Sequence, residues 1–117
     1  MISQKISHIN DMKNAKEEFL RVTLLHKEFN KVKCAQITHE CGMDKYHTYS
    51  LRVGYTQEEY DKFVDSLDFE YDAGHGEQEL FGYIWIKDGT WYEREEYDGS
   101  EWWEYKSTPP IPDELIN

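Results

Sequence analysis

The sequence contains few of the cysteines that stabilise small secreted domains and many metal-binding domains. It has only two cysteines, Cys34 and Cys41, which are too few for a disulfide scaffold and which we expect to be reduced. No apolar run approaches the roughly 18 residues needed to cross a bilayer, and the first ten residues contain no apolar signal-peptide core. With no low-complexity linker, these absences predict one cytoplasmic domain over residues 1–117, with extended or flexible ends at 1–10 and 107–117.

Positive charge is also scarce. The chain has 13 Lys and Arg against 24 Asp and Glu, which gives a formal net charge of −11. Because nucleic acids and anionic membranes are bound by positive potential, we expect no direct nucleic-acid partner and no membrane partner. The charge is uneven: residues 1–35 carry a net +3, residues 57–79 a net −8 and residues 80–106 a net −4. A basic partner would therefore be drawn to the second half of the chain.

Aromatic residues, by contrast, are abundant. They make up 15% of the chain, although the mean hydropathy is −0.88. Rings bury more apolar area per residue than most other side chains, so the composition predicts a folded domain with a small core rather than a disordered acidic tail. Half of the aromatic residues fall within residues 81–105, where they alternate with acidic residues.

Two stretches have the apolar spacing of a helix. The first covers residues 11–29, with Asn10 or Asp11 as its cap. Its apolar stripe is wide, which leaves open whether it packs on the sheet or on a second copy of the chain. The second helix covers residues 57–67 and begins with a capping box, in which Thr56 is followed three residues later by Glu59.

Alternating apolar residues and turn signals predict five strands. These cover residues 31–39, 46–53, 80–86, 90–95 and 101–105. The last three are separated by Asp-Gly turns, so they form an antiparallel meander. The predicted element order is α-β-β-α-β-β-β, an α+β fold in which two helices pack on one face of an antiparallel sheet.

The meander provides the first group of candidate binding residues. Strand alternation places Trp91, Glu93 and Glu95 on one face, and it puts Trp102 and Trp103 on opposite faces, so that one of these two lies away from the core. Core packing would explain these aromatic residues, but tryptophans inside an acidic rim are also typical of protein-binding surfaces. The predicted protein-binding set in the meander is Trp91, Glu93, Glu95, Asp98, Glu101, Trp102 and Trp103.

A second acidic array lies on the helix predicted over residues 57–67. Glu58, Asp61 and Asp65 recur at spacings of three and four residues, so they share one face of that helix. Carboxylates spread over one surface compete for a basic groove and are steered to it by long-range attraction. We therefore add these three residues to the protein-binding set, with solubility as the simpler explanation of their charge.

Signals for catalysis and for metal binding are weak. Cys34, His39, Cys41 and His47 are zinc-ligand types, but their spacing matches no zinc pattern. The glycines of residues 74–76 match neither nucleotide-binding loop pattern. Paired carboxylates can cleave sugars, but a chain this short leaves little room for a deep cleft. We therefore expect no enzyme activity, no cofactor and no metal.

The C-terminal part of the sequence is similar to known proteins. Residues 88–105, DGTWYEREEYDGSEWWEY, and the Pro109-Pro110-Ile111-Pro112 segment resemble small accessory proteins of tailed bacteriophages, and the resemblance covers about residues 50–115. It brings no catalytic residues. It implies a phage protein in the bacterial host cytoplasm that binds a host or phage protein with a basic surface. Inhibition of a defence or DNA-processing factor, in part by imitating the charge of DNA, is the form we expect.

Two alternatives stay open at this point. The protein could bind a small ligand or a carbohydrate on a stacking platform formed by Trp85, Trp91, Trp102 or Trp103. It could instead be a structural module that forms a homodimer through the wide apolar stripe of residues 11–29 or through a sheet edge.

Overall fold

The computed structural model describes residues 12–24, 31–74 and 76–116, and it confirms the predicted α+β fold. In chain order the elements are β1 (Met12–Asn14), α1 (Ala15–Leu24), β2 (Val32–Glu40), β3 (Tyr46–Leu51), α2 (Gln57–Ser66), β4 (Glu70–Asp72), β5 (Leu80–Ile86), β6 (Trp91–Tyr97), β7 (Ser100–Lys106) and α3 (Asp113–Ile116). None of the helices in these ranges is long and apolar enough to span a bilayer.

Five of the strands form one antiparallel sheet. Its order is β3-β2-β5-β6-β7. The predicted meander of the last three strands is confirmed, and β2 connects it to β3 by pairing with β5. The two short strands, β1 and β4, pair with each other in a separate ribbon. The meander therefore occupies one half of the main sheet and ends in β7 as an edge strand.

The core lies between the main sheet and the helices. Phe19 of α1 packs edge-on against Phe63 of α2, with ring centroids 5.4 Å apart, and both side chains are buried. The sheet contributes a row of buried side chains from each strand, among them Ala35, Ile37, Leu51, Leu80, Ile84, Ile86, Tyr92 and Trp103. Successive strand residues point to opposite faces, so the residues between these form an outer face turned away from the helices.

The first helix is shorter than the predicted residues 11–29. Its cap is Asn14 rather than Asn10 or Asp11, since Asn14 Oδ1 accepts the N–H of Glu17 at 3.0 Å. Residues 12–14 form β1 instead, and Met12 is held opposite Asp72 of β4. Residues 25–29, the last part of the predicted helix, lie outside the described residues.

The second helix begins as predicted. Thr56 Oγ1 accepts the N–H of Glu59 at 3.1 Å, and Glu59 Oε1 accepts the N–H of Thr56 at 2.9 Å. This reciprocal pair is the capping box expected from the sequence. Phe63 and Val64 of the helix are buried in the core, so its acidic residues point outward.

Gly82 marks the point where β5 and β6 separate. β6 pairs with β5 only along residues 83–85, and the earlier part of β5 pairs with β2 alone. Gly82 has a φ of +136°, and a Cβ at this position would lie 2.1 Å from the carbonyl oxygen of Gln36 on β2. Only glycine allows β5 to lie this close to β2 with this backbone conformation.

Candidate protein-binding surface

The outer face of the sheet carries a group of incompletely buried aromatic side chains. Phe81, Tyr83 and Trp85 of β5 are 37%, 42% and 37% exposed, and Trp102 of β7 is 37% exposed. Trp91 of β6 is half-buried on the same face. We refer to these five residues as the aromatic face. Scattered exposed apolar residues are normal on a protein, but a group of large rings on one face indicates an interaction surface.

Strand register places most rings of the aromatic face next to one another. Tyr83 and Trp85 stack with ring centroids 5.3 Å apart and ring planes inclined by 21°. Trp85 lies directly opposite Trp91 on the next strand, and Trp102 lies opposite Glu95. Side chains in directly opposite positions are in contact distance of each other. The rings of β5 and β6 are therefore neighbours, whereas Trp102 lies on the same face of β7 next to Glu95.

Two tryptophans of the aromatic face are held in the same way. Trp91 Nε1 donates to Glu93 Oε1 at 3.2 Å, and Trp102 Nε1 donates to Glu104 Oε1 at 3.3 Å. Each carboxylate belongs to the residue two positions further along the strand, which is on the same face. We call these the Trp-x-Glu pairs. They fix the edge of each indole next to a negative charge.

The carboxylates among these rings outnumber the cations. Lys106 Nζ lies 2.7 Å from Glu95 Oε1 and 3.4 Å from Glu93 Oε2, and the hydrogen bond to Glu95 is the main reason that the pKa of the Lys106 ammonium is raised. Glu104 lies directly opposite Glu93. No cation of the described residues pairs with Glu104. The outer face of β6 and β7 therefore has three carboxylates and one ammonium group.

The predicted meander residues divide between the two faces of the sheet. Trp91, Glu93, Glu95 and Trp102 lie on the outer face, where the structure brings them together. The prediction that one of the paired tryptophans lies away from the core is confirmed for Trp102. Asp98 is exposed in the β6–β7 turn, with a φ of 52°, at the end of the meander.

Glu101 and Trp103 correct the predicted set, because both lie on the core side. They are only 5% and 8% exposed. Glu101 Oε1 lies 2.7 Å from Arg94 Nη2, and the Arg94 guanidinium carbon lies 5.4 Å and 5.1 Å from the ring centroids of Tyr71 and Trp103. The Tyr71 hydroxyl accepts from Arg94 and donates to Glu18, and burial is the main cause that raises its pKa. Arg94 Nη1 and Trp103 Nε1 have no hydrogen-bond partner among the described residues, but the whole cluster is buried inside the fold, so it is not available to a partner protein.

The acidic residues of α2 form a different surface. Glu58, Asp61 and Asp65 are exposed, as predicted, but α2 packs on the inner face of the sheet, so they lie on the opposite side of the molecule from the aromatic face. Their charge is partly neutralised, since Lys62 lies 3.6 Å from Glu58 and Lys16 lies 3.1 Å from Asp65. The structure therefore does not join the two predicted acidic arrays into one site.

Two of the depressions in the described surface lie near residues of interest. One, of about 230 Å³, opens where β5 and β6 separate and is lined by Gln78, Phe81, Gly82, Tyr83, Glu93 and Arg94. A larger one, of about 450 Å³, lies at the end of β2 and includes His39, Cys41 and Glu79. Across the described ranges, no group of three or more His, Cys, Asp or Glu residues is arranged to hold a metal ion. The smaller depression adjoins the aromatic face and extends it.

Four residues of this surface lie outside the protein-binding set predicted from the sequence. These are Phe81, Tyr83, Trp85 and Glu104. The β5 segment reads LFGYIWI, an unbroken apolar run, and such a run is typical of a strand that is buried on both faces. Along this run, aromatic residues alternate with smaller residues, and this alternation could have indicated that the rings share one face of the strand. Glu104 could have been found from the repetition of Trp-x-Glu in two neighbouring strands.

The chain was also compared with known proteins. No protein-family model, curated protein or solved structure matches it.

Proposed function

We propose that the protein binds another protein through the aromatic face and that the partner presents a basic surface there. The observation that carries this proposal is the group of incompletely buried rings on one face of the sheet, with an excess of carboxylates beside them. Large rings supply most of the apolar contact in typical interfaces. The surrounding carboxylates would select a positively charged partner and accelerate the encounter.

A narrower form of the proposal is based on the resemblance to bacteriophage accessory proteins. In that form the partner is a host defence or DNA-processing protein in the bacterial cytoplasm. The groove with which such a protein holds DNA is basic, and it is complementary in charge to a chain with a net charge of −11. Occupation of the groove would modulate or inhibit the host protein without any catalytic step.

Affinity capture from bacterial lysate tests the proposal with two matched variants. The first, Trp85→Ala with Trp102→Ala, removes two rings of the aromatic face. The second, Glu58→Lys with Asp61→Lys, changes the opposite side, on α2. We expect the first variant to lose the captured protein and the second to retain it. Thermal unfolding of each variant checks that the fold is intact.

The result that contradicts the proposal is equally specific. Retention of the partner by the ring variant would show that another surface binds it. Loss of the partner only in the α2 variant would show that the acidic residues of that helix form the binding site. Capture of no protein by the unaltered chain would also count against a protein-binding role.

A carbohydrate or small-ligand platform is the second candidate. It is favoured by the stacked and exposed Tyr83–Trp85 pair next to the 230 Å³ depression. Flat exposed rings offer an apolar surface on which a sugar ring can stack. Titration with a panel of oligosaccharides should then change the tryptophan fluorescence of the unaltered protein but not of Trp85→Ala. An unchanged spectrum across the panel would contradict this candidate.

A further inference from the structure

We infer that the aromatic face binds an arginine side chain of its partner, with Glu104 as the carboxylate that receives the guanidinium and Trp102 as the ring beside it. This inference rests on the proposed function and specifies the chemistry of the partner. It concerns a single arginine-binding site on β7 rather than the whole face.

The three carboxylates of the outer face are unequally paired. Lys106 lies within 4 Å of both Glu93 and Glu95 but pairs with neither oxygen of Glu104. Among the residues that the structure describes, Glu104 receives only the indole N–H of Trp102, at 3.3 Å, and its side chain is exposed. In the register of the sheet it lies directly opposite Glu93. Like charges in opposite positions on neighbouring strands repel, so a cation bound at Glu104 relieves an unfavourable contact.

An exposed ring, that of Trp102, adjoins the Glu104 carboxylate. The Trp102 indole is 37% exposed, and its N–H edge is held at Glu104. A cation placed over an exposed indole is attracted by the ring as well as by the carboxylate. An arginine can form both contacts at once, because its planar guanidinium stacks on a ring and donates in its own plane to a carboxylate. A lysine ammonium lacks this planar geometry.

The core side of the same strands already contains such an arrangement. There, the Arg94 guanidinium lies over the Trp103 ring, with 5.1 Å between its carbon and the ring centroid, and donates to Glu101 at 2.7 Å. Arg94 lies opposite Trp103 in the register. On the inner face, then, an arginine of β6 stacks on a tryptophan of β7 and pairs with a carboxylate of β7. The outer face of β7 offers the ring and the carboxylate, Trp102 and Glu104, and the arginine would come from the partner.

Short peptides test the inference on the full chain. Three peptides of equal length would carry two arginines, two lysines or two citrullines, the last of which have nearly the shape of arginine without its charge. Binding is followed by the NMR signals of the indole N–H groups and by tryptophan fluorescence. We expect the arginine peptide to bind at least about fivefold more tightly than the lysine peptide, with no measurable binding of the citrulline peptide.

Two matched variants test the position of the arginine-binding site. Glu104→Gln should weaken the arginine peptide at least about fivefold, and it should not lower stability because Glu104 is exposed and faces Glu93. Glu58→Gln, the same change at an exposed carboxylate of α2, should leave the affinity unchanged. Equal binding of the arginine and lysine peptides, or equal weakening by the two variants, would overturn the inference and indicate unspecific attraction to the acidic chain.

The outcome also separates the inference from the proposed function. One outcome is that the arginine peptide does not bind while the double variant Trp85→Ala with Trp102→Ala still fails to capture the partner. In that case the aromatic face binds a partner but contains no arginine-binding site. If neither the peptide nor any protein depends on these rings, both the inference and the proposed function fail.

Discussion

Arg94 and Glu101 form an ion pair whose side chains are almost completely buried, with 1% and 0% exposure and 2.7 Å between Nη2 and Oε1. The two residues lie on neighbouring strands of the meander. Glu101 also accepts the N–H groups of Glu79 and Leu80, at 2.7 Å and 3.0 Å. The carboxylate therefore connects the edge strand β7 to the first residue of β5 and to the residue before it, in the region where β5 and β6 are separated.

Removal of the cation from this pair should be strongly destabilising. Arg94→Met leaves the Glu101 carboxylate buried without its counter-charge, and we expect the free energy of unfolding to fall by about 3–5 kcal/mol. Urea denaturation at neutral pH measures the change. The control is Arg52→Met, which removes an exposed arginine 3.4 Å from Glu59 and should cost less than about 1 kcal/mol. Similar losses of unfolding free energy in the two variants would show that the buried ion pair stabilises the fold no more than the exposed one.

The capping box should make stability depend on pH in the acid range. The N–H of Thr56 is the main cause that holds the pKa of Glu59 below its ordinary value of 4.5. A lowered carboxyl pKa stabilises the fold above the ordinary value, and this contribution is lost as the pH falls through the lowered folded-state pKa. Glu59→Gln keeps an acceptor for Thr56 but cannot ionise, so its deficit in stability should be present at neutral pH and shrink on acidification.

Denaturation of both proteins between neutral pH and about pH 3 checks this dependence. Glu58→Gln serves as the reference, because Glu58 lies in the same helical turn but outside the capping box. If the curves of the unaltered protein and of Glu59→Gln stay parallel over the whole range, the ionised capping box does not contribute as described.

Gly82 should tolerate no side chain. Gly82→Ala would place a Cβ 2.1 Å from the carbonyl oxygen of Gln36, and we expect a loss of more than about 3 kcal/mol or a failure to fold. Gly54→Ala is the matched control, since Gly54 also has a positive φ, of +83°, but a Cβ there meets nothing within 4 Å. The control should show only the backbone strain, about 1 kcal/mol. Equal effects would mean that strain, not the contact with β2, decides the outcome at Gly82.

The two adjacent tryptophans of β7 should differ in fluorescence. Trp103 is 8% exposed, whereas Trp102 is 37% exposed. Trp102→Phe should remove the component that acrylamide quenches readily, and Trp103→Phe should remove a component that is shielded. The reverse assignment would place β7 with its other face toward the core and would contradict the aromatic face.

Local signals explain which parts of the fold could be predicted from the sequence. The capping box of Thr56 and Glu59 and the two Asp-Gly turns act within a few residues, and the elements they delimit are confirmed. The ribbon of β1 and β4 depends on a pairing between Met12 and Asp72, which are far apart in sequence. A strand of three residues is too short to show a periodicity of its own. The apolar spacing of α1 therefore predicts a helix that also includes the residues of β1.

The candidate site could be predicted only in part for a related reason. Alternation separates Trp102 from Trp103 but does not say which of them faces the core. Polarity is a poor guide here, because Arg94 and Glu101 point inward while Trp85 points outward. Charges turn inward when each finds a partner across the strands, and that match becomes visible only once the register is known.

The Trp-x-Glu pairs have a consequence for the thermodynamics of binding. A free indole side chain samples several rotamers and loses that freedom when a partner orders it. Trp91 and Trp102 are each restrained by a hydrogen bond to a carboxylate of their own strand, in the absence of any partner. Part of the side-chain ordering is therefore complete before encounter, so the entropy lost by these two rings on association is smaller than for rings without such bonds.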